Sequence, residues 1–265
     1  MSLIFLFIPN IICSNVGLFE TKMSEEILAI RIQEVTVPLY KIHQDKNTGE
    51  QKRIEVCHGF NAGTNEANDI SFMVSAGHCG GGLVAQIPGT KNGTVVPVLS
   101  QSLYGDVDFL IGTKPFCEKA EKSVNFPYPF FEWLVFNKWE TYYVLGTDGT
   151  YGPDGQPTHS ITRLKYIRKE EPNRIVFALG KPDPGKEFSL DCGEKCGAFV
   201  QPGISGSVIV NGKGEAVAIA NGFAQTSIFE VYGLSAKRFL PELGAMKKAL
   251  GKETMASGTC EGEKK

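Results

Sequence analysis

Turn-forming residues divide this chain into short apolar segments, and this spacing limits its fold more than any other feature. The chain holds 30 glycines and 14 prolines in 265 residues, and turn signals recur about every eight to twelve residues. Runs such as Ile54–Phe60, Ile70–Ala76 and Ile175–Leu179 have the length and composition of strands. Between Val208–Val210 and Ala216–Ala220 lies a hairpin-turn signal, Asn-Gly-Lys-Gly. The pattern predicts an all-β barrel or sandwich.

Three other segments predict elements around this β-structure. Ile32–Val37 alternates apolar and polar residues, which indicates a strand near the start. The aromatic stretch Phe116–Trp139 reads as a connection between two β halves. Leu234–Leu250 has apolar residues at the spacing of an amphipathic helix, with Gly251 as its stop. Because proline is best tolerated in a first helical turn, the regular helix is expected to begin near Pro241.

The N-terminus and the cysteines favour export. Leu3–Ile12 is apolar over the length of a signal-peptide core and too short for a membrane span. It lacks a preceding Lys or Arg and a clear cleavage site, so an intracellular protein starting at Met23, with reduced cysteines, is the alternative. Beyond the leader lie six cysteines, at positions 57, 79, 117, 192, 196 and 260. An even number in an exported chain favours disulfides. The net charge of −2 gives no basic surface for nucleic acid.

Chemistry-bearing residues occur in three stretches, each next to a predicted strand. The first contains His78 within Ser-Ala-Gly-His-Cys, the second contains Asp106 and Asp108, and the third contains Ser205 within Gly-Ile-Ser-Gly-Ser. A serine hydroxyl becomes nucleophilic when an imidazole accepts its proton and a carboxylate orients that imidazole. Glycines around the serine allow a tight turn whose N–H groups can bind an oxyanion. These three residue types together supply the groups that acyl transfer requires.

These stretches resemble the three signatures of trypsin-like, chymotrypsin-fold serine proteases. The resemblance covers the chain from about Ile54 to the last helix, and it implies an all-β fold of two antiparallel six-stranded barrels with a C-terminal α-helix. It also implies a monomeric serine endopeptidase with no cofactor and no metal, acting on protein or peptide substrates. Secretion is expected from the leader and the cysteines. The expected parts are a signal peptide (1–22), a first barrel (27–118), a connection (119–139), a second barrel (140–233), a helix (234–251) and a tail (252–265).

The resemblance also assigns roles to individual residues. His78 is the general base, Ser205 the nucleophile, and the N–H groups of Gly203 and Ser205 the oxyanion hole. Asp108 is preferred over Asp106 as the acid, because Asp108 precedes the unbroken apolar run that the family has after its aspartate. The resemblance further implies a disulfide between Cys57 and Cys79.

Two further disulfides are expected outside the motifs. The short spacing of Cys192 and Cys196 can close a small loop, and Cys117 and Cys260 then pair by elimination.

The chain departs from animal trypsins at two positions. Ile204 stands where trypsins have the aspartate that pairs with a newly cut N-terminus, so we expect no activation of that kind and a closer resemblance to bacterial and viral relatives. Phe199 stands where trypsins have the aspartate that attracts Lys or Arg. A basic side chain would be desolvated there without a partner, which favours an apolar or small P1 residue. The substrate backbone is expected to pair with the strand segment Ala220–Phe223, namely Ala220, Asn221, Gly222 and Phe223.

Other interpretations remain open at this stage. A zinc site built from Cys57, His58, His78 and Cys79 is disfavoured, because adjacent residues rarely reach the same ion. A protease fold retained as an inactive binding module is the alternative function. No segment beyond the leader predicts stable membrane association.

Overall fold

The structure is a computed structural model of the 265-residue chain. It describes residues 22–44, 46, 48–65, 70–80, 83–85, 94–95, 98–102, 108–115, 122–151, 157–170, 173–179, 204–225 and 229–250. None of its helices is long and apolar enough to cross a membrane, within the described residues.

Seven antiparallel strands form a curled N-terminal sheet, in the order β5-β4-β1-β2-β3-β7-β6. They are β1 (Thr36–Gln44), β2 (Gln51–Asn65), β3 (Ile70–Ser75), β4 (Val84–Ala85), β5 (Thr94–Val95), β6 (Val98–Ser102) and β7 (Phe109–Pro115). The expectation of a six-stranded first barrel is therefore wrong in count and closure for the described residues. Strands β4 and β5 have only two residues each, which limits the ladder available for closure at that edge.

Six antiparallel strands close into a C-terminal barrel, in the order β10-β13-β12-β11-β8-β9. They are β8 (Thr141–Tyr151), β9 (Pro157–Glu170), β10 (Arg174–Leu179), β11 (Val208–Val210), β12 (Ala216–Gln225) and β13 (Phe229–Ser235). This confirms the predicted six-stranded second barrel. Strand β13 was not recognised in the sequence, although it completes the barrel by pairing with both β10 and β12.

The segment predicted as the first strand is instead mostly helix α1, Glu25–Val35. Its buried residues Leu28, Ile32 and Val35 are spaced four and three apart, so they share one helix face. Ser24 caps the helix by accepting a hydrogen bond from the backbone N–H of Ile27 (3.4 Å). The alternation in Ile32–Val37 was misleading because the buried face follows the helical period and β1 begins only at Thr36.

The chain between the two β units contains the single-turn helix α2, Glu132–Val135, and the last element of the described residues is helix α3, Ala236–Leu250. Helix α3 begins five residues before Pro241, contrary to the expectation that regular helix starts at the proline. The aromatic ring of Phe239 on α3 lies 6.1–6.4 Å from the rings of Phe60, Phe109 and Phe126. Burial of such a side chain stabilises the fold by about 2–3 kcal/mol.

One hydrophobic cluster joins the two β units. It combines Phe60 and Phe109 of the N-terminal sheet with Val208 of the C-terminal barrel, and it includes buried residues of α1 and α3. The C-terminal barrel also has its own core, which contains Tyr142, Phe177 and other buried residues. The shared cluster fixes the sheet against the barrel, and the candidate site depends on contacts across this boundary.

Candidate active site

His78 lies in a 3₁₀ turn, Gly77–Cys79, immediately after β3. The Sγ atoms of Cys57 on β2 and Cys79 form a disulfide with an S–S distance of 2.00 Å. This confirms the Cys57–Cys79 pair that the resemblance implied, and it ties the turn to the neighbouring strand. Both sulfurs are consumed by the bond, so neither is available as a thiolate ligand for the zinc site considered above.

Asp108 precedes β7 and binds His78 through two hydrogen bonds. Its Oδ1 accepts from the backbone N–H of His78 at 2.7 Å, and its Oδ2 lies 2.8 Å from His78 Nδ1. An ionised carboxylate only accepts hydrogen bonds, so Nδ1 carries the hydrogen and the lone pair of a neutral imidazole is left on Nε2. The hydrogen bond to Asp108 raises the pKa of His78 above its usual 6.5, against the opposing effect of burial. Asp106, the alternative acid, lies outside the described residues.

Ser205 lies in a turn that is attached to both β units. Its carbonyl oxygen accepts a hydrogen bond from the backbone N–H of His58 on β2 (2.8 Å), and the N–H of the next residue, Gly206, donates to Ala220 O on β12 (2.7 Å). His58 is also fixed from its other side, because Ser75 Oγ donates to the His58 carbonyl at 2.5 Å. The serine turn and the histidine turn therefore share β2 as a support.

Gly206 is required at its position. Its φ is +87°, and a Cβ atom there would lie 3.0 Å from the carbonyl carbon of His58 and still closer to the His58 oxygen and to Ser75 Oγ. Only glycine allows the backbone of the serine turn to approach β2 this closely. The second glycine of the motif thus brings the two β units into contact at the site.

Asn221 makes a contact that the sequence did not reveal. The strand pairing of β12 with β13 shifts register between Ala220 and Gly222, and the Asn221 side chain donates from Nδ2 to the carbonyl oxygen of Asp108 at 3.1 Å. A residue of the barrel therefore binds the backbone of Asp108, which directly precedes strand β7 of the sheet. Asn221 was expected only as part of the substrate strand, and a contact across 113 residues leaves no local signal in the sequence.

Some of the other predicted site residues lie within the described part of the chain, and some lie outside it. Ala220 is buried, Gly222 is half-buried, and the Phe223 side chain is 41% exposed at the surface of β12. Ile204 is 4% exposed and packs in the core of the C-terminal barrel. The predicted residues Gly203 and Phe199, and the predicted Cys192–Cys196 and Cys117–Cys260 pairs, lie outside the described residues.

A separate cleft of about 420 Å³ lies where α1 meets the connection and the β11–β12 hairpin. Its lining includes Arg31, Lys122 and Gly214, and it shares no residue with the His78 site. Size alone does not connect this cleft with the chemistry of the three motifs.

Comparison with solved structures identifies the architecture. One match is an HtrA-type protease, AlgW, with a decapeptide: 11% identity, a TM-score of 0.57, and coverage of 85% of this chain and 68% of the other. Another is the Rv3671c protease from M. tuberculosis in its active form: 16% identity, a TM-score of 0.51, and 88% of both chains.

The chain has a chymotrypsin-like fold.

At these identities the likeness establishes the fold alone. No protein-family model and no curated protein matches the chain. The chymotrypsin-like fold agrees with the resemblance carried by the three motifs, and it places those motifs where the sheet and the barrel meet.

Proposed function

We propose that the chain is a serine endopeptidase in which His78, Asp108 and Ser205 act as a catalytic triad. The observation that carries this proposal is the His78–Asp108 pair, with hydrogen bonds of 2.7 and 2.8 Å. Asp108 holds the imidazole in the tautomer that leaves Nε2 to take the proton from Ser205 Oγ as the hydroxyl attacks the substrate carbonyl. The same imidazole then donates the proton to the leaving amine, and water hydrolyses the acyl-enzyme by the reverse sequence.

The N–H groups of Gly203 and Ser205 are proposed to stabilise the oxyanion. Among the backbone hydrogen bonds of the described residues, none uses the amide hydrogen of Ser205, which supports its proposed role. The N–H of Gly206, by contrast, is committed to Ala220. Removal of one oxyanion donor costs about 3–4 kcal/mol of transition-state stabilisation in a well-studied protease.

Asn221, Gly222 and Phe223 are proposed to pair with the substrate backbone. Ala220, which was expected to take part, is already occupied on that edge, because its N–H donates to Ser207 O at 2.9 Å and its carbonyl accepts from the Gly206 N–H at 2.7 Å. Strand β12 pairs with β11 only up to Ile219, whereas its pairing with β13 continues to Gln225. Beyond Ala220, one edge of β12 therefore has no strand partner within the described residues, as addition of a substrate strand requires. The P1 preference proposed from Phe199 is apolar or small.

Activity is proposed to need no trypsin-style cleavage. The nearest candidate bond, Arg31–Ile32, lies inside α1, where the Ile32 side chain is 1% exposed. Ile204 is committed to the barrel core and offers no charge to a new N-terminus. Active-site titration of protein with α1 intact tests this: full reactivity is expected, and reactivity only after proteolysis would contradict it.

Labelling with a fluorophosphonate probe tests the catalytic proposal. Wild type should be labelled and Ser205→Ala should not. Ser123→Ala removes an exposed serine of the connection and serves as the matched control, with labelling at the wild-type rate. Absence of labelling in folded wild-type protein would contradict the proposal. Cleavage-site profiling on a peptide library would then establish the P1 preference.

One observation favours the alternative of an inactive binding module. Within the described residues, no hydrogen bond joins Ser205 Oγ to His78. Such bonds are often long in substrate-free proteases and tighten on binding, so the peptidase remains the preferred function. The module predicts that folded protein binds peptides without cleavage and without labelling.

The protein is proposed to be secreted and to function outside the cell. The Cys57–Cys79 disulfide supports it, because such bonds persist in oxidising compartments. Mass measurement of the native protein should find the leader removed and these two thiols oxidised. A chain starting at Met23 with free thiols would contradict export.

A further inference from the structure

The connection between the sheet and the barrel exposes an unusual set of large apolar side chains. The two tryptophans of the chain are Trp133 and Trp139, and they are 74% and 91% exposed. The same segment exposes Tyr128 (98%), Leu134 (55%) and Phe131 (47%). We call these five residues the aromatic patch. Single exposed apolar residues are ordinary, but five large exposed side chains within residues 128–139, both tryptophans among them, indicate an interaction site.

The aromatic patch rests on a fixed support. The rings of Phe131 and Trp133 stack with centroids 6.3 Å apart. On the inner side of α2, Val135 and Phe136 are buried in the barrel core. Tyr142 anchors this turn, because its hydroxyl donates to Val135 O at 2.6 Å and accepts from the N–H of Asn137 at 3.0 Å. The patch is thus presented outward without rearrangement of the core.

Cations predominate around the aromatic patch. The segment 132–140 has Glu132, Glu140 and Lys138 as its charged residues. Glu132 binds Lys169 (2.7 Å) and Lys237 (3.8 Å). Glu140 binds Lys22 (3.3 Å), and its carbonyl accepts a hydrogen bond from Lys165 (3.2 Å). The charged residues of this segment and the partners of its glutamates are thus five lysines and two glutamates, so both acids are neutralised and the remaining lysine charge complements an anionic surface.

We propose that the aromatic patch docks the protein on an anionic lipid bilayer. Tryptophan and tyrosine prefer the water–lipid boundary, where the ring is buried and the polar atom stays hydrated. Peripheral binding of this kind combines insertion of apolar side chains with attraction of lysines to anionic headgroups. The association is peripheral and reversible. It is independent of the proposed peptidase activity.

Tryptophan fluorescence tests the proposal directly, because both tryptophans lie in the patch. Full-chain protein is mixed with vesicles of phosphatidylcholine alone or with one quarter phosphatidylglycerol. The expected result is a blue shift and co-sedimentation with the anionic vesicles, weakened by salt. Trp133→Ala and Trp139→Ala should each weaken vesicle binding about tenfold, which corresponds to the free energy gained by burying one large apolar side chain. Lys138→Gln should weaken binding only to the anionic vesicles.

Ile30→Ala is the matched control, because Ile30 is an exposed apolar residue (55%) on α1, outside the patch. It should bind vesicles like wild type, and thermal unfolding should show that the patch variants remain folded. Absence of a shift and of co-sedimentation would overturn the proposal, as would an equal loss with Ile30→Ala. Concentration-dependent dimerisation abolished by Trp133→Ala, without vesicle binding, would assign the patch to protein contact and would also overturn it.

Discussion

Replacement of Gly206 by alanine tests how the serine turn is held against β2. The new Cβ would overlap the carbonyl group of His58 and Ser75 Oγ, and the backbone would be left at a φ of +87°. The left-handed conformation costs about 1–2 kcal/mol for a residue with a Cβ. Overpacking against a fixed neighbour adds about 1–3 kcal/mol. The expected loss in the free energy of unfolding is therefore about 2–5 kcal/mol.

Gly49→Ala separates these two contributions. Gly49 also has a positive φ, +74°, but nothing lies within 4 Å of a Cβ placed there. The Gly49→Ala variant should therefore lose only the conformational contribution to the free energy of unfolding, about 1–2 kcal/mol. Urea unfolding under non-reducing conditions measures both variants against wild type. A difference of less than about 1 kcal/mol between them would refute the close approach of the serine turn to β2.

The same pair of variants connects stability with the site. To relieve the overlap, the turn in Gly206→Ala must move away from His58, and Ser205 moves with it. Fluorophosphonate labelling should therefore slow in Gly206→Ala and stay at the wild-type rate in Gly49→Ala. Equal labelling of the two would mean that the position of Ser205 does not depend on this contact.

Three further variants test individual contacts. Asp108→Asn should lower the pKa of His78 and reduce activity by about 10⁴-fold. The pH–rate profile of the wild type should have its midpoint above pH 6.5. An unchanged midpoint in the variant would contradict the hydrogen bond between Asp108 and His78. The raised pKa of His78 also contributes stability that is fully present below pH 6.5 and is lost as the pH rises through the folded value. Asn221→Ala should lower kcat by about fivefold with little change in KM, through loss of about 1 kcal/mol of support for Asp108. A change in KM alone would assign Asn221 to substrate binding. Tyr142→Phe should lower the free energy of unfolding by about 1–3 kcal/mol, because the buried Val135 carbonyl and the half-buried Asn137 N–H lose their partner. Urea denaturation measures this loss, and a value below about 0.5 kcal/mol would contradict the role of the hydroxyl.

The strand pattern was largely predictable, because each short apolar run is bounded by turn residues. The runs at Ile70–Ala76, Ile175–Leu179 and Val208–Val210 all correspond to strands. The errors occurred where a local pattern fits two structures. The segment before Thr36 contains both an alternation and a helical spacing, and the helix forms because its apolar face packs against the C-terminal barrel. The sequence of this segment alone does not distinguish a strand from a helix.

By itself, the sequence determined the chemistry of the candidate site: a histidine, an aspartate and a serine, each next to a strand, with glycines around the serine. It also determined the Cys57–Cys79 disulfide through the resemblance. Only the tertiary structure decided that Asp108 binds His78 and that Asn221 supports Asp108 across 113 residues. The reason is physical: residue types fix which bonds are possible, whereas distances between residues far apart in the chain are set by the packing of the N-terminal sheet against the C-terminal barrel.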